Sequence, residues 1–475
     1  MNTHAQSLLS RTTPIATLLG VAGIIFAVIS QNIALAFLFV ILPFAVIFIQ
    51  NAINRPIVFL FFIFVVNYFI MAVSRYIKID GVSVLMDSMW LILLILLLLH
   101  TLFGKSIAWK DLNNILILTG IGWMVYCFME IANPTAHMEA WFSSKSLMYN
   151  GLLVPALTIL VFTKKEYVQP FIFMFSLLVL AACVKTLVQK YVGFDATETA
   201  WLNAGASRTH IIHSGIRYFS FFTDASNMGS NMGYGGFLFC VIGLFSHSLP
   251  KKIYYIAVGL LSTYAMFLSG TRGAMIVPLG GIAAYTILSK NTRAIVAGSL
   301  SLFVIYVFFV FTTIGQGNAQ IRRMRTAFNP TKDASYIVRK QNQARLAAYL
   351  KNKPFGEGLG LSGGENLRFG YRLTTSIPND SWLVKIWVET GIIGITLYMT
   401  MMFLICLKCT QIIMFRIQNK EYKALCIGLL GGNFGLILSS YGNSFFGQYP
   451  TYYIVYIGFA IIFNYKYLDD KILVS

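Results

Sequence analysis

The chain changes from polar to apolar at Pro378-Asn-Asp-Ser-Trp-Leu-Val-Lys-Ile-Trp-Val-Glu-Thr-Gly391. The polar interval that ends there runs from about residue 315 to residue 380 and follows a long apolar run. Between residues 316 and 380 lie eleven Lys or Arg and four Asp or Glu, a local excess of seven positive charges. Loops longer than about 15 residues in a compact protein are usually functional or disordered. Because this loop contains helix signals, we predict that it is the functional part of the protein.

The remainder of the chain is too apolar for a soluble protein. Of its 475 residues, 57% are hydrophobic and 11% are charged, whereas soluble domains carry about 25% charged residues. We therefore predict an all-α polytopic membrane protein with about 12–14 transmembrane helices, each needing about 20 apolar residues, and a large helical loop. About fourteen apolar runs lie near residues 14–30, 33–50, 56–74, 83–103, 113–131, 147–163, 168–187, 226–247, 252–270, 273–289, 294–314, 381–407, 424–443 and 447–464.

Basic residues are distributed unevenly between the loops. If the N-terminus is cytoplasmic, the inside loops hold sixteen Lys or Arg, and the short outside loops hold three apart from Arg272 in the turn between the runs 252–270 and 273–289. Cytoplasmic loops carry the excess of Lys and Arg, and long loops are exempt from this rule. We therefore predict that both termini are cytoplasmic and that the loop at 315–380 lies on the outer face. Orientation signals and an anionic substrate explain the net charge of +19 better than nucleic acid, so we predict membrane lipids and no nucleic acid as partners.

The cysteines do not form a recognisable metal motif. Cys406 and Cys409 have the spacing of half a zinc site, but no second pair and no His cluster accompanies them in the sequence. Buried cysteines usually behave as small apolar residues. We predict no metal site.

Arg272 lies in a short turn between two apolar runs, Leu268-Ser-Gly-Thr-Arg-Gly-Ala274. Gly270 and Gly273 permit a sharp reversal, which places Arg272 at the start of the next helix. Helix N-termini attract anions, and a guanidinium group matches phosphate oxygens. The alternative is an Arg that only extends to the membrane interface.

A second polar segment, residues 207–229, enters the membrane from the same face. It contains Arg217, His210 and His213, with Asp224 near the predicted start of a helix. Arg217 adjoins an aromatic run and is a candidate site residue. The two His residues are alternative bases, whereas Asp224 has the alternative of being only a helix cap.

The loop itself contains three features. Residues 333–354 read as an amphipathic helix that begins at Asp333 and carries the candidate residues Arg339 and Arg345. The glycine-rich residues 355–364 that follow are predicted to be a mobile hinge, so that the helix acts as a lid. Asn379-Asp380 then precedes a membrane helix, in which Asp380 is either an N-cap or a carboxylate at the membrane surface. Glu389 would lie about 13 Å deeper in that helix, where an acidic residue is costly.

Three ordered motifs resemble the O-antigen ligase and polymerase superfamily. They are Ser-Gly-Thr-Arg-Gly-Ala at 269–274, Pro-Phe-Gly-x-Gly-Leu-Gly from residue 354, and Asn-Asp-Ser-Trp…Val-Glu-Thr-Gly-Ile-Ile-Gly at 379–394. Arg345, followed eleven positions later by Gly356, is also similar to an arginine–glycine pattern of O-antigen polymerases. The resemblance covers roughly residues 205–445, which we interpret as a catalytic region between N-terminal helices at 1–204 and a last helix with its tail at 446–475.

The resemblance implies a membrane-embedded inverting glycosyltransferase in a bacterial inner membrane, active on the periplasmic face without metal or cofactor. Its donor is a glycan on undecaprenyl pyrophosphate, and its acceptor is a glycan or a lipid A core. Arg272 and Arg217 match the family's arginines that engage the pyrophosphate. Asp380 stands where ligases carry a catalytic His, which favours a polymerase with Asp380 as base. Arg339, Arg345, Asn379, His210 and His213 are the candidate substrate-binding residues.

Other functions remain open at this stage. An O-antigen ligase or a protein O-oligosaccharyltransferase of the same superfamily would use the same motifs. A transporter of lipid-linked glycans is a second alternative, although such proteins place polar groups near the bilayer midplane, whereas here they gather at one face. A scaffold for glycan assembly would not need Arg272. A chain-length regulator and a flippase are further candidate partners.

Overall fold

Helices make up almost all of the regular structure in the residues that the computed structural model describes, which are 33–77, 81–104, 106–212, 215–328 and 334–469. The α-helices are α1 (Ile33–Asn54), α2 (Pro56–Ile77), α3 (Val82–Leu102), α4 (Ile115–Met129), α5 (Met138–Ser143), α6 (Lys145–Val161), α7 (Val168–Tyr191), α8 (Ala196–Trp201), α9 (Ser207–His210), α10 (Ala225–Phe245), α11 (Leu249–Leu268), α12 (Ile276–Leu288), α13 (Thr292–Phe311), α14 (Ala319–Arg325), α15 (Ala334–Leu350), α16 (Leu373–Ser376), α17 (Trp382–Phe415), α18 (Lys420–Ser439), α19 (Thr451–Phe463) and α20 (Tyr465–Leu468). A short antiparallel pair, β1 (Ile211–Ile212) and β2 (Gly215–Ile216), aligns Ile211 with Ile216.

The apolar runs of the sequence correspond closely to these helices. Thirteen of the fourteen runs coincide with a helix, and the first run, at 14–30, lies outside the described residues. Within the described part, nine helices are long and apolar enough to cross a membrane. The prediction of an all-α polytopic membrane protein is therefore confirmed.

The chain divides into two compact units. The first contains Met1–Ile63 and Ser88–Ile107. In its described part, the ring of Phe48 packs on those of Phe59 and Phe62, with centroids 6.1 and 4.8 Å away. These contacts join α1 to the start of α2.

The second unit contains Phe64–Asp87 and Ala108–Ser475 and has α10 at its centre. Small residues let neighbouring helices approach α10 closely. A Cβ atom at Gly259 of α11 would lie 2.9 Å from the backbone nitrogen of Cys240, which is too close for any larger residue. Close backbone approach through small residues is typical of helix packing in membranes. α12 and α18 also pack against α10.

α17 is interrupted by a sharp bend at Gly391, whose φ is 67° and ψ is −169°. The loop after α15 fills this bend. The backbone N–H groups of Glu357 and Gly358 donate to the carbonyl groups of Val388 and Glu389, at 2.9 and 3.0 Å. We call residues 353–358, together with Gly391, the clasp. It satisfies carbonyl groups that the break in α17 would otherwise leave unpaired.

The clasp corrects one prediction and gives the surroundings of Glu389. The glycine-rich segment is not a hinge, because residues 356–363 are buried and hydrogen-bonded to α17 and other loop segments. Glu389 lies in the unbroken first part of α17, just before the bend at Gly391. Its carboxylate accepts a hydrogen bond from Ser362 and lies 3.6 Å from the Lys385 ammonium group.

Candidate active site

The turn between α11 and α12 depends on Gly270. Its φ is 57°, and a Cβ atom there would lie 3.2 Å from Cγ of Arg217, so a side chain would be both strained and crowded. Arg272 follows at the start of a short 3₁₀ helix, Arg272–Met275, that continues into α12. The predicted position of Arg272 at a helix start is confirmed. We call residues 269–275, with Arg217, the arginine turn.

Arg217 lies across this turn and is bound by neutral groups. Its guanidinium donates to the carbonyl of Thr209 at 2.9 Å and to the hydroxyl of Thr271 at 2.8 Å. Burial lowers the pKa of Arg217, the Asp224 carboxylate raises it, and the positive charge of Arg272 lowers it. Arg217 still remains charged, because an arginine does not deprotonate in a protein. The two guanidinium groups are thus close enough to repel each other.

A third guanidinium group, that of Arg323 on α14, approaches the same turn. Its Cδ and Nε atoms lie 3.8 and 3.9 Å from the position of a Cβ atom on Gly270. Arg272 contacts the end of the same helix, because its Nη1 donates to the Thr326 hydroxyl at 2.9 Å. α14 therefore holds the first part of the long loop against the arginine turn. The sequence motifs did not single out Arg323, which carries no pattern of its own.

The turn at residues 442–443 joins the arginine turn to the rest of the site. The side chain of Asn443 accepts a hydrogen bond from Ser226 at 2.7 Å and lies against Gly273, where a Cβ atom would overlap it. Its backbone carbonyl accepts from the N–H of Trp382 at 3.1 Å. The carbonyl of Gly442 accepts from Arg339 on α15 at 2.8 Å. Sequence reasoning missed Asn443, and only its position at the end of the apolar run 424–443 could have indicated it.

Asp380 lies beside this turn and does not cap α17. The N-cap is Ser381, whose hydroxyl accepts from the N–H of Val384 at 3.3 Å, so the N-cap alternative for Asp380 is wrong. Burial raises the pKa of the Asp380 carboxyl group, and the positive charge of Arg339 opposes that rise. Asp380, taken as a whole residue, is nevertheless exposed to solvent. No described residue donates a hydrogen bond to its carboxylate, which leaves those oxygens accessible to a ligand.

The other predicted residues fall in different surroundings. Asn379 donates to the Ser362 hydroxyl at 3.1 Å and so packs against the glycine-rich segment. Arg345 is exposed on α15. His213 lies outside the described residues. Among the residues described, no three His, Cys, Asp or Glu side chains are grouped to hold a metal ion.

His210 is a structural residue in this conformation. Its ring is buried between Trp201 and Phe219, with centroids 5.1 Å away in both cases. Its Nδ1 lies 2.9 Å from the Ala206 carbonyl, and its Nε2 accepts from the N–H of Ala225 at 3.2 Å. Burial lowers the pKa of His210. Both nitrogens are engaged by the backbone, which argues against a role as base. The helix begun at Ala225 is capped by Asp224, as the alternative for that residue predicted.

The arrangement places charges of both signs around one turn. Arg217 and Arg272 lie on the side of the helix start, and Asp380 with Arg339 lies on the side of the long loop, with Asn443 between them. Fixed guanidinium groups of this kind can neutralise a pyrophosphate. An accessible carboxylate, such as that of Asp380, can accept a proton.

Part of the chain is similar to a known protein family. Searches of the curated proteins and of the solved structures give no match. Residues 257–399 match the model of a family described as O-Antigen ligase. The match contains the arginine turn except Arg217, the long loop, the clasp and Asp380, whereas Asn443 lies beyond it. The chain is therefore a multi-pass membrane protein with an O-antigen ligase domain at residues 257–399, and this match supports the O-antigen ligase and polymerase superfamily.

Proposed function

We propose that the protein is a surface-polysaccharide polymerase. It transfers a glycan from undecaprenyl pyrophosphate to a sugar hydroxyl of an acceptor, at the periplasmic face of a bacterial inner membrane with both termini in the cytoplasm. The family match supports a reaction of ligase or polymerase type. The departure from the ligase pattern at Asp380 favours the polymerase.

One observation carries the proposal. Arg217 and Arg272 come from segments more than fifty residues apart and are held at the same turn. The Arg217 guanidinium donates to the Thr209 carbonyl and the Thr271 hydroxyl, and Arg272 donates to the Thr326 hydroxyl. Placing like charges together costs free energy unless an anion binds between them. A pyrophosphate supplies that anion and offers oxygens for both forks.

The mechanism follows from the positions of the charged groups. The acceptor hydroxyl attacks the anomeric carbon, its proton passes to Asp380, and the bond from that carbon to the pyrophosphate oxygen breaks. The electron pair leaves on the pyrophosphate, where Arg217 and Arg272 stabilise the growing negative charge. A single displacement of this kind inverts the anomeric centre. The base contributes about 10²–10⁴-fold and acts only when deprotonated.

The loop residues bind the donor around this centre. Arg339 orients Asp380 by charge and is fixed by the Gly442 carbonyl. Arg345, exposed on the same helix, attracts the pyrophosphate as it approaches. Asn379 holds the backbone before α17 against Ser362. In this proposal the long loop lines the donor site with Arg339 and Arg345. The buried clasp holds the C-terminal part of this loop in place.

The test is transfer by purified protein from an undecaprenyl pyrophosphate-linked oligosaccharide, with donor binding measured separately. We expect Asp380→Asn to lose transfer by at least about 10²-fold while donor binding is retained. The control is Glu365→Gln, which removes an exposed carboxylate of the same loop and keeps its acceptor for Asn379. Full transfer by the Asn variant would exclude Asp380 as base.

The molecule that accepts the glycan distinguishes a polymerase from a ligase. A polymerase lengthens the glycan when donor is supplied with a glycan acceptor, and the products differ by whole repeat units. A ligase instead transfers to a lipid A core and gives one product without such a ladder. Transfer only to the lipid A core would overturn the polymerase proposal and leave the chemistry at Asp380 in place.

A further inference from the structure

A cavity of about 230 Å³ lies at the end of the second unit opposite to the arginine turn. Its walls are the N-terminal turns of α7, α11 and α18 and the C-terminal end of α10. An engineered cavity of about 150 Å³ is large enough to bind benzene. This cavity can therefore accept a group larger than a single side chain.

The lining of the cavity is divided by polarity. Lys165 and Lys251 line it and are exposed to solvent, whereas Ile172 and Leu425 form apolar parts of its wall and are 3% and 5% exposed. A ligand that fits this division has an anionic head and an apolar body. Free metabolites with a phosphate group would satisfy only the lysines.

The two lysines come from separate segments: Lys165 lies in the connection before α7, and Lys251 lies in the first turn of α11. The general excess of Lys at a cytoplasmic face explains why each segment is basic. Each segment has two adjacent lysines, and only one of them lines the cavity: Lys165 but not Lys164, and Lys251 but not Lys252. The general excess of lysine at this face does not explain that selection. Lys165 and Lys251 thus come from separate segments and line the same cavity, which indicates a binding site for an anion.

Two further features favour an anion. The N-cap residues of α7 and α11, Tyr167 and Ser248, make no side-chain capping hydrogen bond. The Val168 N–H donates to the Lys165 carbonyl and Pro250 has no N–H, so it is the other N–H groups of these first turns that favour negative charge. The acidic residue in the lining, Glu421, accepts a hydrogen bond from the N–H of His247 at 3.2 Å. This hydrogen bond partly satisfies the negative charge of Glu421. The two lysines leave the lining with a net positive charge.

We propose that this cavity binds one anionic phospholipid, with its phosphate between Lys165 and Lys251 and the upper part of an acyl chain along Ile172 and Leu425. Basic pockets between membrane helices bind anionic lipid headgroups in this way. The site is independent of glycan transfer, because it lies at the other end of the bundle from Asp380.

The experiment is native mass spectrometry and thermal unfolding of the purified full chain in detergent. Phosphatidylglycerol, phosphatidylcholine and inorganic phosphate are the three probes. We expect phosphatidylglycerol to bind and to raise the melting temperature, and the other two to have little effect. The double variant Lys165→Ala/Lys251→Ala should bind phosphatidylglycerol about thirtyfold more weakly, since each Lys near an anionic lipid contributes about 1 kcal/mol.

The matched control is Lys164→Ala/Lys252→Ala. It removes two positive charges from the same two segments, at residues that do not line the cavity. It should bind phosphatidylglycerol like the wild type. Equal losses in both double variants would overturn the proposal in favour of a diffuse basic surface. Stabilisation by inorganic phosphate alone, equal to that by the lipid, would assign the site to a soluble phosphate compound.

A third result concerns the wild type alone and needs no variant. If phosphatidylcholine binds as tightly as phosphatidylglycerol, the lysines do not select an anion and the proposal fails. The preference of the wild-type protein therefore tests the site even if a lysine variant does not fold.

Discussion

Two regions at the same end of the second unit hold charge in opposite ways. In the clasp, Glu357 is 2% exposed and makes ion pairs with Lys353 and Arg372, each at 2.6 Å. In the arginine turn, Arg217 is held by a hydroxyl and a backbone carbonyl. No carboxylate of the described residues makes an ion pair with Arg217.

The charge of Glu357 therefore stabilises the fold, whereas the charge of Arg217 is available to bind a ligand. A buried carboxylate must be paired, because an unpaired buried charge costs several kcal/mol. Glu357 meets that requirement within the chain and has little charge left for a ligand. A guanidinium group held by neutral partners keeps most of its charge for an anion. The comparison predicts that changes in the clasp reduce stability, whereas changes in the arginine turn reduce transfer.

The largest effect is expected from Gly391→Ala in the clasp. An added Cβ atom would overlap the carbonyl oxygen of Pro354, and the φ of 67° disfavours any L side chain. Strain and overpacking together should cost about 4 kcal/mol of unfolding free energy. The measurement is thermal unfolding of the purified protein in detergent.

Gly364→Ala is the control for that change. It lies in the same loop, and an added Cβ atom there meets no atom within 4 Å. Its melting temperature should stay close to that of the wild type. Equal stability of both variants would show that the clasp does not support α17.

A slightly smaller loss of stability is expected from Glu357→Ala. The substitution leaves Lys353 and Arg372 facing each other without their shared carboxylate. Removing one partner of a buried ion pair costs about 3–5 kcal/mol, and we expect the lower end because the two cations are 27% and 24% exposed. Glu139→Ala, at an exposed acidic residue, should be nearly neutral in the same unfolding measurement. A stable Glu357→Ala protein would mean that the clasp is held by backbone hydrogen bonds alone.

The arginine turn should show the reverse pattern. Arg272→Lys keeps the charge but loses the planar fork that can bind two phosphate oxygens. We expect transfer to fall about 10²-fold, as for loss of one donor to a developing oxyanion, with an unchanged melting temperature. Arg322→Lys, an exposed arginine of α14, is the control and should keep wild-type transfer. Wild-type polysaccharide length and amount with Arg272→Lys would show that Arg272 is only an interfacial anchor.

The membrane helices could be predicted because their signal is local. A run of about 20 apolar residues is enough to identify each one, and all runs within the described residues became helices. The break at Gly391 could not be predicted in the same way. Val-Glu-Thr-Gly reads as a continuing helix, and the bend exists because residues 354–358, more than thirty positions earlier, fill it.

The site was predictable where a residue belonged to a compact motif. Arg272 lies between two glycines that mark a turn, and its helix start was predicted correctly. Asn443 and Arg323 carry no such pattern, because their positions depend on contacts with Gly273 and Gly270 across the bundle. Asp380 was an ambiguous cap in the sequence, since Asp and Ser are both good N-cap residues. Only the hydrogen bond to Val384 shows that Ser381 has that role.

A smaller effect distinguishes the two aspartates near helix starts. Asp224 accepts from the N–H groups of Ser226 and Asn227, at 2.6 and 3.0 Å, and caps α10. Asp224→Ala should therefore cost about 1 kcal/mol of stability. Asp380→Ala should cost almost nothing, because it caps no helix. Equal losses of unfolding free energy in the two variants would restore a capping role for Asp380.

The smallest expected effect is the pH dependence of stability at Asp380. Burial raises the pKa of this carboxyl group in the folded protein, so folding disfavours its charged form. The penalty is absent at pH values below the ordinary carboxyl pKa, and it grows as the pH rises through the ordinary and then the raised value. Asp380→Asn removes the penalty, so its melting temperature should match the wild type in acid and slightly exceed it near neutral pH.

The same raised pKa determines the pH dependence of transfer. A base must be deprotonated to act, so wild-type transfer should fall as the pH decreases through the raised pKa of Asp380. The residual transfer of Asp380→Asn has no such group and should lack this acidic limb. Transfer rates of both proteins, measured across the acidic range with saturating donor, provide the comparison. If the variant keeps the wild-type acidic limb, another group carries the proton, and the arginine turn acts by stabilising the leaving pyrophosphate without Asp380.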